Sequence, residues 1–328
     1  MNDDVATLSH TSDIDGVGAA ALVRMRYRMP LSNMFFTGYS AEEVSKAEER
    51  LGRLYRRGLL LFITDLVPES DAVPIYERIV KNVNANGGKV VFLDHHPWSS
   101  EAAKRIAARC LFATFGENRK MCATELVRRY LRLNGAFARK FARIVHHSDF
   151  YIQLDEKSHG RLVKQYAMHI AGVNAGRSYD AKLRRLRHMV AVIDSRRLID
   201  GEISDGARRF EALNSKRIES ILRNNYMIAG RIAVAFSKQV DSTDACMELI
   251  REKKAEVGIV VNLDHSKASI RSVGRSVVGL ANAMGGGGHP RASAFNIRMS
   301  DFHSFKTSRD KQRFVAFVES KAKRAGLI

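Results

Sequence analysis

Hydrophobic positions along the chain follow two periods. Three uninterrupted apolar runs, VATLS after Asp4, LLLFIT ending at Thr64 and KVVFL ending at Leu93, are strand-sized and show no polar alternation. That is the pattern of strands buried on both faces. Between and beside them, apolar residues recur at helical spacing in VGAAALVRMRYR, AEEVSKAEERLGRLYRR and DAVPIYERIVKNVNANGG, the last closing on the Gly87–Gly88 pair as a helix stop. Strands alternating with helices imply right-handed crossovers, hence an α/β fold with a doubly wound, mostly parallel sheet. Ligands of such sheets sit beyond the carboxyl ends of the strands. Each run ends there on polar side chains: His10, Asp13 and Asp15 in HTSDIDG, then Asp65, then Asp94, His95 and His96 in DHH.

Further on, ATELVRRYLRL and AFARKFARIVHHSDF read as helices, the second leading into Asp149. Basic and apolar residues then interleave at helical spacing through DAKLRRLRHMVAVIDSRRLIDG and GARRFEALNSKRIESILRNN. Strand-like RIAVAFS, a helix from DACMELIREKK, strands VGIVVNL and KASIRS, the run GGGGHPRASAF and a basic helix DKQRFVAFVESKAKRAG follow. The expected organisation is a first domain over 1–177, a basic helical connector over 178–225 and a smaller α/β domain over 226–328.

Composition narrows the classes. A chain of 328 residues, 45% hydrophobic, can bury a sizeable core and exceeds the usual size of one domain. An excess of 54 Lys+Arg over 35 Asp+Glu, formally +19, favours anionic partners such as nucleic acid or phosphate esters. Three widely spaced cysteines, Cys110, Cys122 and Cys246, suggest neither a disulfide framework nor a zinc knuckle, and a reducing, cytoplasmic setting is expected. The start MNDDVATLSH lacks the features of a signal peptide, and no apolar run is long enough to span a bilayer, so a soluble protein is expected.

Each polar cluster has a plain reading on its own. Asp-x-Asp-Gly can be a turn in which Asp holds the backbone and Gly takes a positive φ; Asp65 can be a helix N-cap; DHH can be a solvated turn. All three at strand ends argue for a shared site. Two divalent cations about 3.5–4 Å apart can jointly bind a hydroxide and a phosphoryl oxygen when carboxylates and imidazoles converge and one carboxylate bridges the ions. Mixed imidazole and carboxylate donors suit manganese better than magnesium, although zinc, cobalt or iron could also fit.

HTSDIDG, the strand-terminal Asp65, DHH and Asp149 match in order the four motifs of the DHH phosphoesterase superfamily, and GGGGHPRASA resembles the glycine-rich signature of its DHH-associated second domain. The chain resembles the compact two-domain branch that contains the oligoribonuclease (nanoRNase) and pAp-phosphatase proteins, related to RecJ. The resemblance implies a centre of two manganese ions, with magnesium or cobalt as substitutes. His10 and Asp13 would hold one ion, Asp15, His95 and Asp149 the other, and Asp65 would bridge them. It further implies that Asp94 orients its neighbours, fixing the tautomer of His95, and that His96 lies beside the scissile phosphate. A metal-bridging hydroxide would attack phosphorus in line with the leaving oxygen. In the second domain, Gly286, Gly287, Gly288, His289 and Arg291 would contact substrate phosphate, as would Arg271 and Ser272 at the end of a strand. The family's signature carries a glycine where this chain has Ala294, which questions how closely the backbone after Arg291 packs.

The expected activity is therefore a manganese-dependent phosphodiesterase or exonuclease on short oligoribonucleotides, with pAp 3′-phosphatase activity beside it. Competing readings are a cyclic-dinucleotide phosphodiesterase, a RecJ-like single-strand exonuclease, a pyrophosphatase or polyphosphatase, and a non-catalytic nucleic-acid-binding module. The expected partners are short single-stranded RNA or other nucleotide phosphoesters and, as oligomer, a homodimer; no membrane is expected. His146 and His147 precede Asp149 and read as neighbours of the ligands or as solvated. His159, His188 and His265 have no spacing partner and read as local hydrogen-bonding residues. The arginines of LRRLRH and SRRLID could line a nucleic-acid track or simply be solvated. Trp98 and Tyr151 could stack a base, with packing the expected use of both.

Overall fold

The computed structural model describes residues 2–55, 58–67, 71–116, 120–150, 159–175, 178–264, 266–297 and 299–328. Tyr151 and His265 lie outside them. The chain divides into two compact units, Met1–Arg208 and Arg209–Ile328.

The first unit is built on a five-stranded sheet of order β2-β1-β3-β4-β5, with β1 Val5–His10, β2 Met34–Thr37, β3 Leu60–Thr64, β4 Lys89–Asp94 and β5 Phe112–Phe115. Every pairing is parallel. The three apolar runs are its central strands β1, β3 and β4, buried along almost their whole length. The short edge strands β2 and β5 were not anticipated. Four residues leave too little pattern to read, and β5 keeps Phe112 exposed beside Leu111.

Helices cover both faces. α1 (Ile14–Tyr27), α5 (Ala123–Tyr130), α6 (Ala136–Asp149), α7 (Arg161–Asn174) and α8 (Tyr179–Asp194) contribute to one core, with Val17, Phe62, Val127, Phe141 and Leu186 in it. α2 (Ala41–Leu51), α3 (Val73–Ala85) and α4 (Ser100–Ala107) flank the other, with Val44, Ile79, Ile106 and Phe92. The basic stretch read as a connector is divided: α8 packs against α1, burying Leu183, Leu186, Met189 and Val190, while α9 (Gly201–Asn224) crosses the boundary between the units. Arg24 of α1 pairs with Asp194 of α8 at 2.9 Å, and Arg187 donates to the carbonyls of Ser32 and Met34 at 2.6 and 2.9 Å. One basic residue of this helix, Arg187, thus ties it to the start of β2.

The second unit holds a six-stranded mixed sheet of order β10-β11-β9-β8-β7-β6, made of β6 Tyr226–Ala229, β7 Ile232–Ser237, β8 Val257–Asn262, β9 Lys267–Ser272, β10 Gly287–His289 and β11 Ala292–Asn296. Only the β7–β8 pair is parallel among these. One face carries Phe236, Phe295 and Phe314 with α11 (Val278–Ala283) and α12 (Ser308–Arg324). The other carries Ile221, Cys246 and Leu249 from α9 and α10 (Ser242–Lys253). No helix among the described residues is long and apolar enough to cross a membrane.

Candidate metal centre

Strand order 2-1-3-4-5 places a topological switch between β1 and β3, whose following helices lie on opposite faces of the sheet, and the crevice there is where doubly wound sheets bind ligands. His10 ends β1, Asp65 follows β3, and Asp94 with His95 ends β4 at that same edge. Asp13 caps α1, its Oδ1 accepting from Asp15 N at 3.0 Å and Gly16 N at 3.4 Å. The capping reading and the chemical one hold together, because the other oxygen, Oδ2, faces His10 Nδ1 at 3.2 Å. Gly16 is needed for close approach and not for a positive φ: a Cβ there would meet His10 O at 2.3 Å. Asp65 does take a positive φ of 58°, a conformation that costs a non-glycine residue about 1–2 kcal/mol and that Asp tolerates better than most.

Three groups of donors lie close together: His10, Asp13 and Asp65; Asp15, His95 and Asp149; and Asp65, Asp94, His95 and His96, each with donor atoms within 4.8 Å of one another. His95 Nε2 is approached by Asp65 Oδ1 at 3.5 Å, Asp149 Oδ2 at 3.6 Å and Asp15 Oδ2 at 3.8 Å, while Asp65 Oδ2 lies 3.5 Å from His10 Nδ1. Asp65 therefore turns one oxygen to each of the first two groups. These separations are too long for hydrogen bonds. A tetrahedral shell with bonds of about 2.0–2.2 Å places its donors roughly 3.3–3.6 Å apart, so three of the four separations match donors arranged around a cation and the Asp15–His95 one is slightly wider. Asp65 Oδ2, His95 Nε2 and Asp149 Oδ2 are buried without a hydrogen-bond partner, an arrangement costly to leave uncompensated and one that divalent cations would satisfy. The donor set fits two such ions.

Electrostatics agree with that fit. Burial, followed by repulsion from neighbouring carboxylates, holds the carboxyls of Asp15 and Asp149 above the usual range. Burial opposes charge on His10 and His95, but the surrounding carboxylates, Asp13 foremost for His10 and Asp65 for His95, outweigh it and push both imidazoles up to about 10. Without cations, protons on these histidines balance the carboxylates.

Asp94 is fully buried and has both oxygens engaged: Oδ1 lies 2.8 Å from His96 Nδ1, and Oδ2 accepts from Trp98 Nε1 at 2.6 Å. It braces His96, whereas the sequence reading had it fix the tautomer of His95. Asp94 keeps a low pKa, since burial is outweighed by His96 and Trp98, and in turn raises that of His96 against burial. Trp98 packs against Phe92 and Phe115, with ring centroids 5.1 and 4.4 Å away. His188 hydrogen-bonds Asp200 at 2.8 Å.

Tyr39, just past β2, was missed. Its ring stacks on His10 with centroids 4.1 Å apart, its hydroxyl lies 3.2 Å from His10 Nδ1, and its edge meets His96 at 6.2 Å. An aromatic residue following a strand adjacent to β1 was the available signal, but β2 itself had not been identified.

In the second unit, the carboxyl end of β9 and the β10–β11 hairpin lie together: Arg271 pairs with Ala292, and His289 with Ala292 across the Pro290–Arg291 turn. Arg291 is exposed, while Arg271 donates to Thr243 Oγ1 at 2.8 Å and Ser272 to Arg275 O at 2.5 Å. A Cβ on Gly286 would meet Ala294 O at 2.1 Å, and one on Gly288 would meet Ala292 O at 2.7 Å. The close packing thus falls on Gly286 and Gly288, and Ala294 is accommodated opposite Gly287.

Among solved structures, the chain is similar to the pGpG-specific phosphodiesterase PggH from Vibrio cholerae, at 13% identity over 96% of this chain and 99% of that one, with a TM-score of 0.52. The likeness shows that the chain shares the fold of that phosphodiesterase. Weaker likenesses, at 13% identity each, extend to an exopolyphosphatase-related protein from Bacteroides fragilis, covering 96% of this chain and 93% of that one with a TM-score of 0.47, and to RecJ from Thermus thermophilus in complex with Mg2+, covering 98% and 49% with a TM-score of 0.45. No family model and no curated protein matches the sequence.

Proposed function

We propose that the chain is a DHH-superfamily, metal-dependent phosphodiesterase that hydrolyses short oligoribonucleotides, with manganese as its metal. The observation that carries this reading is Asp65, which turns one carboxylate oxygen to His10 and the other to His95, so that two groups of donors share a bridging residue. His10, Asp13 and Asp65 would hold one cation, and Asp15, His95, Asp149 and Asp65 the other. When bound, such a pair supplies a hydroxide nucleophile near neutral pH and neutralises charge developing on the phosphoryl group.

The chain's own residues do the rest. Asp94 holds Nδ1 of His96, leaving Nε2 to donate to a phosphoryl or leaving oxygen, and the raised pKa of His96 favours its carrying that proton near neutral pH. Tyr39 fixes the His10 ring by stacking. In the second unit, Arg291 with His289 and the glycine hairpin would contact substrate phosphate, the exposed guanidinium as a bidentate donor. The similarity to PggH supports a dinucleotide-sized substrate, because pGpG is itself a dinucleotide.

The test is one panel of RNA two to five nucleotides long, longer single strands, pAp, cyclic dinucleotides and pyrophosphate, each assayed with manganese and with magnesium. Fastest turnover of two-to-five-nucleotide RNA with manganese is expected. Preference for a cyclic dinucleotide or for pyrophosphate would replace the substrate assignment, and activity without divalent metal would overturn the centre.

A further inference from the structure

We infer that α5 is the positioning element of the second donor group, with Glu125 and His146 as its fastening pair. The inference rests on the two-cation reading above. Asp15, His95 and Asp149 come from α1, the end of β4 and the end of α6, so their convergence depends on the register of separate elements. His10 and Asp13, by contrast, lie three residues apart on one segment.

The first turn of α5 reaches Asp15 directly and, through Glu125, the helix that carries Asp149. Ala123 N and Thr124 N donate to Asp15 Oδ2 and Oδ1, both at 2.7 Å, and Thr124 Oγ1 donates to Asp15 O at 2.9 Å. These amides are first-turn donors with no partner inside the helix, and the helix N-terminus favours the negative charge they hold. Glu125 faces the other way. Its Oε2 accepts from Cys122 N at 3.2 Å and lies 2.7 Å from His146 Nδ1. His146 sits one turn before Asp149 on α6, and its ring packs on Phe150 with centroids 4.7 Å apart. Phe150 in turn meets the His95 ring at 6.1 Å. One helical turn thus holds Asp15 directly and fastens α6, which carries Asp149, through His146, while Phe150 lies between His146 and the His95 ring. A capping box alone explains the bond to Cys122 N. It does not explain why the same carboxylate oxygen fastens α6, or why the neighbouring amides are given to Asp15.

Partners that orient metal-binding side chains typically govern affinity by about 10–100-fold. The test is calorimetric titration of the metal-free protein with Mn2+. The native chain should take up two ions. His146→Phe, which keeps a ring on Phe150 but removes the nitrogen facing Glu125, should weaken one binding step by about 10–100-fold and leave the other unchanged. His146→Asn, which keeps a donor near the Nδ1 position, should restore that step, and Glu125→Gln should weaken the same step as His146→Phe. Saturating Mn2+ should return kcat of His146→Phe toward the native value. Native affinity at both steps in His146→Phe, equal weakening of both steps, or failure of the Asn variant to restore would overturn the inference. Should His146→Phe not fold, unchanged binding by Glu125→Gln would overturn it alone. Fewer than two ions bound by the native chain would instead remove the two-cation reading.

Discussion

The carboxyl ends of the first unit's strands and the β9 end with the β10–β11 hairpin of the second treat their polar residues in opposite ways. In the first unit, Asp65, His95 and Asp149 are buried with atoms that have no hydrogen-bond partner, and their neighbours stand at distances too long to bond and suited to surrounding an ion. In the second unit, Arg271 and Ser272 have internal partners, the glycines serve close backbone packing, and Arg291 is exposed. A buried set with unmet polar demand is arranged around something the chain does not itself supply. An exposed cation on a closely packed hairpin is arranged to meet something from outside. The proposed function, which puts chemistry in the first unit and recognition in the second, rests on this contrast, and it can be broken at either end.

The largest effect should come from Asp65, the proposed bridge. Asp65→Ala removes a donor from both groups, and several kcal/mol of transition-state stabilisation corresponds to a loss of roughly 10³-fold or more in kcat. The fold should persist, because the substitution also removes a repelling carboxylate from a crowded acidic cluster. Near-native turnover with a native circular dichroism spectrum would end the two-cation model.

Next in size is the Arg291→Ala substitution. Losing a charge-assisted hydrogen bond worth about 1.5–3 kcal/mol should raise KM for a dinucleotide roughly 10–100-fold. KM for a small chromogenic phosphodiester should hardly move. Equal effects on both substrates would transfer Arg291 from recognition to structure and dissolve the contrast between the units.

A third prediction concerns stability without metal. His10 and His95 have folded pKa values of about 10, above their unfolded value of 6.5, so they contribute stability that is fully present below pH 6.5 and lost as pH rises through 10. Asp15 and Asp149, also raised, act in the same direction, because the folded state favours their protonated forms. The midpoint of thermal unfolding in EDTA should therefore fall between pH 7 and 9, and Mn2+ should flatten that slope by replacing the protons. A metal-free protein whose midpoint rises over this range would show that the acidic cluster is not balanced by these imidazoles.

How much of this could be read in the sequence depends on the length over which each signal extends. β1, β3 and β4 are buried on both faces, so they appear as continuous apolar runs, and the polar residues that end them are conspicuous. β2 and β5 are short edge strands whose four-residue patterns are lost among neighbouring apolar residues, and Tyr39 was missed with β2. Helix α8 reads as part of a basic helical connector because Arg184, Arg185 and Arg187 interrupt its apolar positions, and its helical periodicity does not tell which core its apolar face joins. Partnerships far apart in sequence left no local trace. The amides of Ala123 and Thr124 reach Asp15 across more than a hundred residues, and Asp94 chose His96 over His95 for geometric reasons that the motif does not encode.

The smallest expected effect lies in the glycine hairpin, where the sequence placed its concern at Ala294. That residue pairs with Gly287, at which a Cβ would have nothing nearer than Asn282 Oδ1 at 3.9 Å. Ala294→Gly should therefore cost only about 0.5–1 kcal/mol of stability, the ordinary entropic penalty of glycine in a strand, and leave KM unchanged. Gly286→Ala puts a Cβ against the backbone oxygen of Ala294, which cannot swing away as a side chain can, and should cost about 1–3 kcal/mol. Chemical denaturation of the two variants separates the positions. If Ala294→Gly stabilises the protein or improves KM, then Ala294 does crowd the hairpin, and the exposed position of Arg291 would reflect a strained turn instead of a surface built for recognition.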